Sequence, residues 1–132
     1  MGKISVIGAG SVGATIANDL MIQGVASEIV LVDVNKNKAI GEALDIYQGA
    51  PFCSPAVVRP GEYSDTEGSD IVVITCGVAR KPGMTRLDLA QVNVNILKDV
   101  ASNVNFWHHP FPVWSSRPIL PNHGLHLPEI PP

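Results

Sequence analysis

A chain of 132 residues, with 45% hydrophobic and 16% charged residues, is long enough for one domain with a buried core, and its average composition excludes an intrinsically disordered protein. The formal net charge of −3 gives no electrostatic attraction to nucleic acid or to an anionic membrane surface. The sequence contains no signal peptide and no apolar stretch of membrane-spanning length, so we predict a cytoplasmic protein. The two cysteines have neither a metal-ligand spacing nor a disulfide spacing, so we predict no metal site.

The first half of the chain alternates between predicted strands and helices. Residues 3–7 form a β-branched run typical of a buried strand, and a helix follows with Val12, Ile16 and Leu20 on one face, ending at Gly24. Residues 28–32 predict a second strand that ends at Asp33. Residues 36–47 predict a second helix, and its inward-facing side chains are expected to be Ile40, Leu44 and Tyr47.

The pattern continues with a weak strand at residues 56–59, a strong strand at residues 70–75 and a helix at residues 87–104. The apolar stripe of this last helix consists of Leu89, Val92, Ile96, Leu97 and Val100. Strands and helices that alternate at this spacing are typical of βαβ units. We therefore predict an α/β fold, a Rossmann-type doubly wound parallel sheet that is incomplete, with about four strands.

Between the first strand and the first helix lies a G-x-G-x-x-G segment, Gly8-Ala9-Gly10-Ser11-Val12-Gly13. The first glycine of such a segment permits a tight turn, the second allows a pyrophosphate to approach, and the third allows close helix packing. Asp33 lies twenty positions after Gly13, where a carboxylate accepts hydrogen bonds from ribose hydroxyls and repels a 2′-phosphate. The arrangement indicates dinucleotide binding, with NAD preferred over NADP.

The loop after the fourth strand, residues 77–89, contains Pro82-Gly83 together with Arg80, Lys81 and Arg86. Because ligands of open α/β sheets bind beyond the carboxyl ends of the strands, this basic loop suits an anionic substrate and is able to move as a lid. A merely solvated basic loop is the alternative at this point.

Taken together, these segments resemble the NAD-dependent L-lactate and malate dehydrogenases over residues 3–104. The resemblance is carried by residues 8–14, Asp33, residues 41–45 and residues 80–86. It implies that Arg86 closes over the substrate and polarises the reacting carbonyl, and that Asn93 contacts the cofactor. Arg80 matches the position where malate-specific members have arginine and lactate-specific members have glutamine. The resemblance thus favours malate and oxaloacetate over lactate and pyruvate, although residues 45–49 also look like lactate-type relatives.

The sequence changes character near residue 105. Residues 105–132 contain all four histidines, both tryptophans and seven of the eleven prolines, a density that forbids helix interiors and central strands. We divide the chain into an NAD-binding domain, residues 1–104, and an irregular proline-rich tail, residues 105–132. A reading-frame shift or disorder explains this tail; a natural partner-binding tail is the alternative.

Family members continue past this point into an Asn-Pro pair, an aspartate, an arginine and a Gly-x-His-Gly segment whose histidine is the general acid/base. His108, His109, His123 and His126 do not match that pattern. We therefore expect an oxidoreductase by family whose chain is truncated before the catalytic histidine and inactive as it stands. A non-catalytic NAD-binding module with an interaction tail is the second hypothesis. Intact family members are expected to act on a small 2-hydroxy or 2-oxo acid as homo-oligomers.

Overall fold

A computed structural model of the protein describes residues 2–53 and 55–104, together with the backbone of Val113–Ser115. The elements in chain order are β1 (Gly2–Ile7), α1 (Ser11–Gln23), β2 (Ala26–Val32), α2 (Lys36–Gln48), β3 (Val57–Gly61), β4 (Ile71–Ile74), α3 (Arg86–Asn103) and β5 (Val113–Ser115). Two short 3₁₀ helices lie at Ala50–Phe52 and Tyr63–Thr66. The alternation of strands and helices predicted from the sequence is confirmed.

The strands form one parallel sheet in the order β3-β2-β1-β4-β5. Strand β1 is central, pairing with β2 on one side and β4 on the other, and the chain order reverses direction between β1 and β4. This is the Rossmann-type arrangement that the sequence predicts, and a crevice at such a reversal is where α/β sheets bind ligands. Strand β3 carries Pro60 because it is an edge strand, where a missing N–H is tolerated.

The predicted fold class, a parallel sheet of about four strands, is confirmed, and the described residues add one short strand to it. Strand β5 lies within residues 105–132 and pairs in parallel with β4, so the sheet has five strands. Its three residues have no proline among them, which leaves the backbone amides free to join the ladder. The other predictions for residues 105–132, including those for the four histidines and the reading-frame shift, concern residues outside the described part of the chain.

Both faces of the sheet are covered by helices. One face packs against α1 and α2 and contains the inward-facing residues of β2, Ile29 and Leu31. The other face packs against Val100, in the carboxyl-terminal half of α3, and against Val104, directly after the helix, and takes the alternate β2 residues Val30 and Val32. Successive residues of β2 from Ile29 to Val32 therefore enter opposite cores, which is why this part of the strand is a continuous apolar run.

The predicted inward faces of α1 and α2 are wrong by one position. Helix α1 buries Gly13, Ala17 and Met21, whereas Val12 is 57% exposed and Ile16 and Leu20 are only partly buried. Helix α2 buries Ala39, Ala43 and Ile46, and leaves exposed the three side chains expected to face inward, Ile40, Leu44 and Tyr47. Two of the three buried positions in each helix are small, Gly13 and Ala17 in α1 and Ala39 and Ala43 in α2, and this allows the helix axis to approach the sheet closely.

The predicted stripe of α3 is correct only in its second half. Val100 is buried, and Ile96 and Leu97 pack against the same core, but Leu89 is only partly buried and Val92 is 37% exposed. The first half of α3 therefore extends beyond the core, next to the loop that follows β4. No helix in the described part of the chain has the length and apolar character needed to cross a membrane.

Candidate functional site

The glycine turn lies between β1 and α1, at the carboxyl end of the central strand. Gly8 has a φ of +103°, and a Cβ added there would lie 2.7 Å from the backbone nitrogen of Cys76, just after β4. A Cβ added at Gly13 would lie 1.8 Å from the carbonyl oxygen of Gly8. These two glycines are therefore required for the turn to close and for α1 to pack on the end of β1.

Gly10 has a different environment, because no heavy atom lies within 4 Å of a Cβ added at this position. It is the N-cap residue of α1, so it supplies no side-chain acceptor to the amides of the first helical turn, which also contains no acidic residue. Free amides and the positive end of the helix dipole thus face open space above Gly10, an arrangement that favours a phosphate.

The carboxylate of Asp33 is tied to the glycine turn by backbone hydrogen bonds. One oxygen, Oδ2, accepts the N–H of Ala9 over 2.7 Å, and the other, Oδ1, accepts the N–H of Asn35 over 2.8 Å. Asp33 is half-buried at the end of β2. Since each carboxylate oxygen has two lone pairs, both retain one for a hydroxyl of a ligand above the turn.

Two further residues line this region and were missed in the sequence. The hydroxyl of Thr75, just after β4, donates to the carbonyl oxygen of Gly8 over 2.9 Å and so joins the turn to the end of the neighbouring strand. Its position directly after the fourth strand is the signal that could have found it. Tyr63 is half-buried, and burial, followed by electrostatic interaction with Cys76, Asp99 and Asp33, raises the pKa of its phenol. No sequence pattern marks Tyr63.

The loop between β4 and α3 is held at its start by a side chain of α3. The Oδ1 atom of Asn93 accepts the backbone N–H of Val78 over 2.9 Å. Gly77 and Gly83 adopt positive φ values of 155° and 86°, which permit the chain to turn at both sides of the loop.

Within that loop, the side chain of Arg80 folds back onto the backbone. Its Nε–H donates to the carbonyl oxygen of Met84 over 3.0 Å, and the residue is exposed. The two terminal nitrogens of the guanidinium, Nη1 and Nη2, have no hydrogen bond or ion pair within residues 2–53 and 55–104, so both are available to an external anion.

The end of the loop is fixed by a capping box at the start of α3. Thr85 accepts the N–H of Asp88 on its hydroxyl, and Asp88 accepts both the hydroxyl and the backbone N–H of Thr85. These hydrogen bonds, the hydroxyl one first, lower the pKa of the Asp88 carboxyl. Arg86 is the first residue of α3 and is exposed.

The structure brings some of the predicted site residues together and leaves others apart. Asp33 contacts the glycine turn directly, as described, and Asn93 contacts the loop that carries Arg80. Arg86 makes no hydrogen bond or ion pair within the described part of the chain. Val12, although part of the glycine segment, points its side chain largely into solvent.

A groove of about 670 Å³ lies elsewhere on the molecule. It is lined by residues at the amino ends of β2 and β3, by the end of α2 and by the segment that follows α2, among them Ser27, Tyr47, Pro51 and Val57. Ligands of open α/β sheets bind beyond the carboxyl ends of the strands, where the glycine turn and Asp33 lie. The groove is therefore separate from the candidate site.

A parallel sheet with a glycine turn at its reversal point, uncapped helix amides and an acid at the end of the neighbouring strand defines a dinucleotide-binding domain of the Rossmann type. The chain belongs to the lactate/malate dehydrogenase family, whose NAD binding domain matches residues 2–109. The matching model describes an NAD binding domain, and the relatives that the chain matches are named L-lactate and malate dehydrogenases, one of them solved in complex with NADH.

The relatives that the chain matches include both L-lactate dehydrogenases and malate dehydrogenases. The chain is 62% identical over 102 residues to an L-lactate dehydrogenase of Clostridium botulinum (strain Hall), an alignment that covers 77% of this chain and 32% of the relative. It also matches the solved structures of a minor L-lactate dehydrogenase from Enterococcus mundtii (TM-score 0.82, 38% identity, 86% of this chain and 36% of that one) and of an Archaeoglobus fulgidus malate dehydrogenase in complex with NADH (TM-score 0.76, 40% identity, 86% and 39%). The chain spans about a third of the length of the curated relatives it matches.

Proposed function

We propose that this chain is the NAD-binding part of a 2-hydroxy-acid dehydrogenase that acts on malate and oxaloacetate. The observation that carries the proposal is the pairing of Asp33 with the amide of Ala9, which places an acid beside a glycine turn that is open above Gly10. NAD, when bound, supplies a hydride acceptor, and NADH a hydride donor.

The residues that would hold the cofactor fit its chemistry. The amides at the start of α1 would face the pyrophosphate, and the absence of a Cβ at Gly10 allows its close approach. The two remaining lone pairs of Asp33 would accept the hydroxyls of the adenosine ribose, and the negative charge of this residue would repel a 2′-phosphate. Preference for NAD over NADP follows from that repulsion.

Arg80 supports a dicarboxylic substrate. Because its Nε–H is already bonded to the carbonyl oxygen of Met84, the side chain would bind a carboxylate end-on, through Nη1 and Nη2. A substrate with only one carboxylate would leave this guanidinium without its partner, so pyruvate is expected to be a poor substrate. Arg86, at the start of α3, would polarise the reacting carbonyl.

Lactate and pyruvate are the second candidate substrates. The observation that favours them is the 62% identity to an L-lactate dehydrogenase, which exceeds the identity to the malate dehydrogenase structure. Overall similarity includes many core positions, whereas substrate choice depends on a few contacts, and we give greater weight to Arg80 for that reason. Assembly into homo-oligomers and a cytoplasmic location stay predictions.

Turnover by this chain alone is not expected, since residues 1–132 contain no Gly-x-His-Gly segment to supply the general acid/base. We propose that the chain binds NADH without catalysing hydride transfer. Titration of the purified chain with NADH, followed by its fluorescence, tests the first part, with NADPH as the matched control. An oxaloacetate and pyruvate assay tests the second part. Equal binding of both nucleotides, or turnover of either substrate, would contradict the proposal.

Substrate choice needs a complete active site, which a chimera provides. Residues 3–104 would replace the matching segment of the Clostridium botulinum L-lactate dehydrogenase, and the chimera would be compared with its Arg80→Gln variant. We expect the chimera to reduce oxaloacetate in preference to pyruvate, and the Arg80→Gln variant to shift that ratio toward pyruvate by at least tenfold. A chimera that prefers pyruvate with Arg80 in place would support the second candidate.

A further inference from the structure

Within residues 2–53 and 55–104, one side-chain hydrogen bond attaches the start of the loop from Gly77 to Thr85 to the rest of the fold. Asn93 lies on α3, fifteen residues further along the chain, and its Oδ1 accepts the N–H of Val78 over 2.9 Å. Both residues are half-buried. Asn93 lies in the first half of α3, which extends beyond the core. A backbone N–H pairs only with an acceptor, so the contact fixes which end of the Asn93 amide faces the loop.

The remaining contacts of the loop are internal or at its far end. The Nε–H of Arg80 bonds to the carbonyl oxygen of Met84, and the capping box of Thr85 and Asp88 begins α3. The first of these contacts joins two loop residues, and the second belongs to the helix itself. Among the described residues, the Asn93–Val78 bond is thus the hydrogen bond that decides where the start of the loop lies relative to α3.

We propose that Asn93 is a positioning residue that sets the start of the substrate loop through Oδ1, and thereby the placement of Arg80 two residues beyond Val78. This inference rests on the proposed function only in naming the loop as the substrate loop. It differs from a cofactor contact by Asn93, because a cofactor contact would use the N–H₂ end of the amide or would displace Val78 from Oδ1. Donation by Nδ2 to a ligand remains compatible with the loop bond.

Replacing Asn93 by aspartate and by leucine distinguishes acceptance of the Val78 N–H by Oδ1 from donation by Nδ2. Asn93→Asp keeps an oxygen that accepts the Val78 N–H and removes the N–H₂ donors, whereas Asn93→Leu has similar size and no acceptor. The matched control is Asn95→Leu, on the same helix, which removes the exposed bond that Asn95 accepts from Gln91 over 3.2 Å. All three variants are made in the full 132-residue chain.

Two readouts on the chain without nucleotide or substrate report on the loop. Amide hydrogen exchange by NMR measures the opening of the Val78 N–H, and brief trypsin treatment measures cleavage after Arg80. We expect Asn93→Leu to raise both rates about fivefold, as the loss of one neutral hydrogen bond does, Asn93→Asp to restore them within twofold, and Asn95→Leu to leave them unchanged. Neither readout involves NADH, so a failed NADH titration would leave this test intact.

Three results would overturn the proposal. The first is unchanged Val78 exchange and loop cleavage in Asn93→Leu. The second is a rise in Val78 exchange and loop cleavage in Asn93→Asp as large as that in Asn93→Leu, which would show that the N–H₂ end of the amide matters instead. The third is an equal rise in exchange at the sheet amides of Val30 and Val72, since that pattern means that Asn93→Leu loosens the whole domain rather than the loop.

Discussion

The Asp33 carboxylate accepts the backbone N–H of Ala9 over 2.7 Å, which joins the end of β2 to the turn after β1. Because its other oxygen accepts the N–H of Asn35, this side chain organises the turn before any ligand arrives. The acid that is expected to select NAD therefore also shapes the backbone on which the pyrophosphate would lie. Binding and local structure depend on the same carboxylate.

Replacing Asp33 by asparagine is expected to weaken both roles. The amide retains one oxygen, so either the Ala9 or the Asn35 N–H faces an N–H₂ group, and a charge-assisted bond worth roughly 1.5–3 kcal/mol is lost. We expect NADH affinity, measured by fluorescence titration, to fall at least tenfold. The ratio of NADH affinity to NADPH affinity should also decrease. Asp19→Asn, an identical change at an exposed position on α1, is the control. Unchanged NADH affinity in Asp33→Asn would refute this account.

The two glycines Gly10 and Gly13 are expected to respond in opposite ways to alanine. A Cβ at Gly13 would overlap the Gly8 carbonyl oxygen at 1.8 Å, and neither backbone is able to move far, so we expect a loss of about 3 kcal/mol of stability. A Cβ at Gly10 meets nothing within 4 Å, so the cost in stability should stay under about 1 kcal/mol while NADH binding is blocked. Urea unfolding and NADH titration of both variants measure this contrast. Similar stability of the two variants would contradict it.

The capping box at the start of α3 predicts an acid-sensitive contribution to stability. The pKa of Asp88 is lowered in the fold, so its contribution is fully present above the ordinary aspartate pKa of about 4 and is lost as the pH falls through the lower folded value. We expect the difference in Tm between the wild type and Asp88→Asn to be constant from neutral pH down to about pH 5 and to shrink as the pH falls through the lowered folded pKa of Asp88. Thr85→Ala should reduce the same pH dependence, because it removes the hydroxyl that is the first cause of the shift. A difference that persists in acid would show that Asp88 stabilises α3 without its charge.

How far the sequence predicts this fold is clearest from the helices. Their existence and bounds follow from apolar spacing and from Gly24, which takes the left-handed conformation expected of a helix end. The buried faces do not follow, because two rows of residues one position apart satisfy the same spacing in each helix. The large apolar side chains of Ile40, Leu44 and Tyr47 form one row of α2, and Ala39, Ala43 and Ile46 form the other. The sheet selects the row with small residues, and residue hydrophobicity alone does not encode that steric requirement.

The candidate site also has one part that the sequence predicts and one part that it does not. The glycine turn and Asp33 are predictable because their spacing is local to one βαβ unit, and the structure joins them by a hydrogen bond. The hydrogen bonds of Thr75 with Gly8 and of Asn93 with Val78 depend on how distant segments meet, so the sequence does not predict these partners, although the position of Thr75 directly after β4 marks the edge of the sheet where it lies. Their partner atoms are backbone groups, which leave no trace in the identity of the partner residue.

Tyr63 offers a test of the electrostatics around Asp33. Burial raises the pKa of its phenol first, and the interactions with Cys76, Asp99 and Asp33 add to that effect. Because the folded pKa is raised, the neutral phenol's contribution to stability is present below about pH 10 and is lost as the pH rises through the folded value. The tyrosinate absorbance of the wild type minus that of Tyr63→Phe isolates the titration of the Tyr63 phenol.

In the same difference measurement, Asp33→Asn is expected to lower the pKa of Tyr63 only slightly, since it removes the smallest of the four causes and leaves burial in place. Asp99→Asn should lower it by a comparable amount, and Asp19→Asn, whose carboxylate is not among the causes, should leave it unchanged. A large fall in Asp33→Asn would mean that the charge of Asp33, rather than burial, dominates the environment of Tyr63. The phenol would then report directly on the carboxylate at the end of β2, and NADH binding over Asp33 would shift its titration.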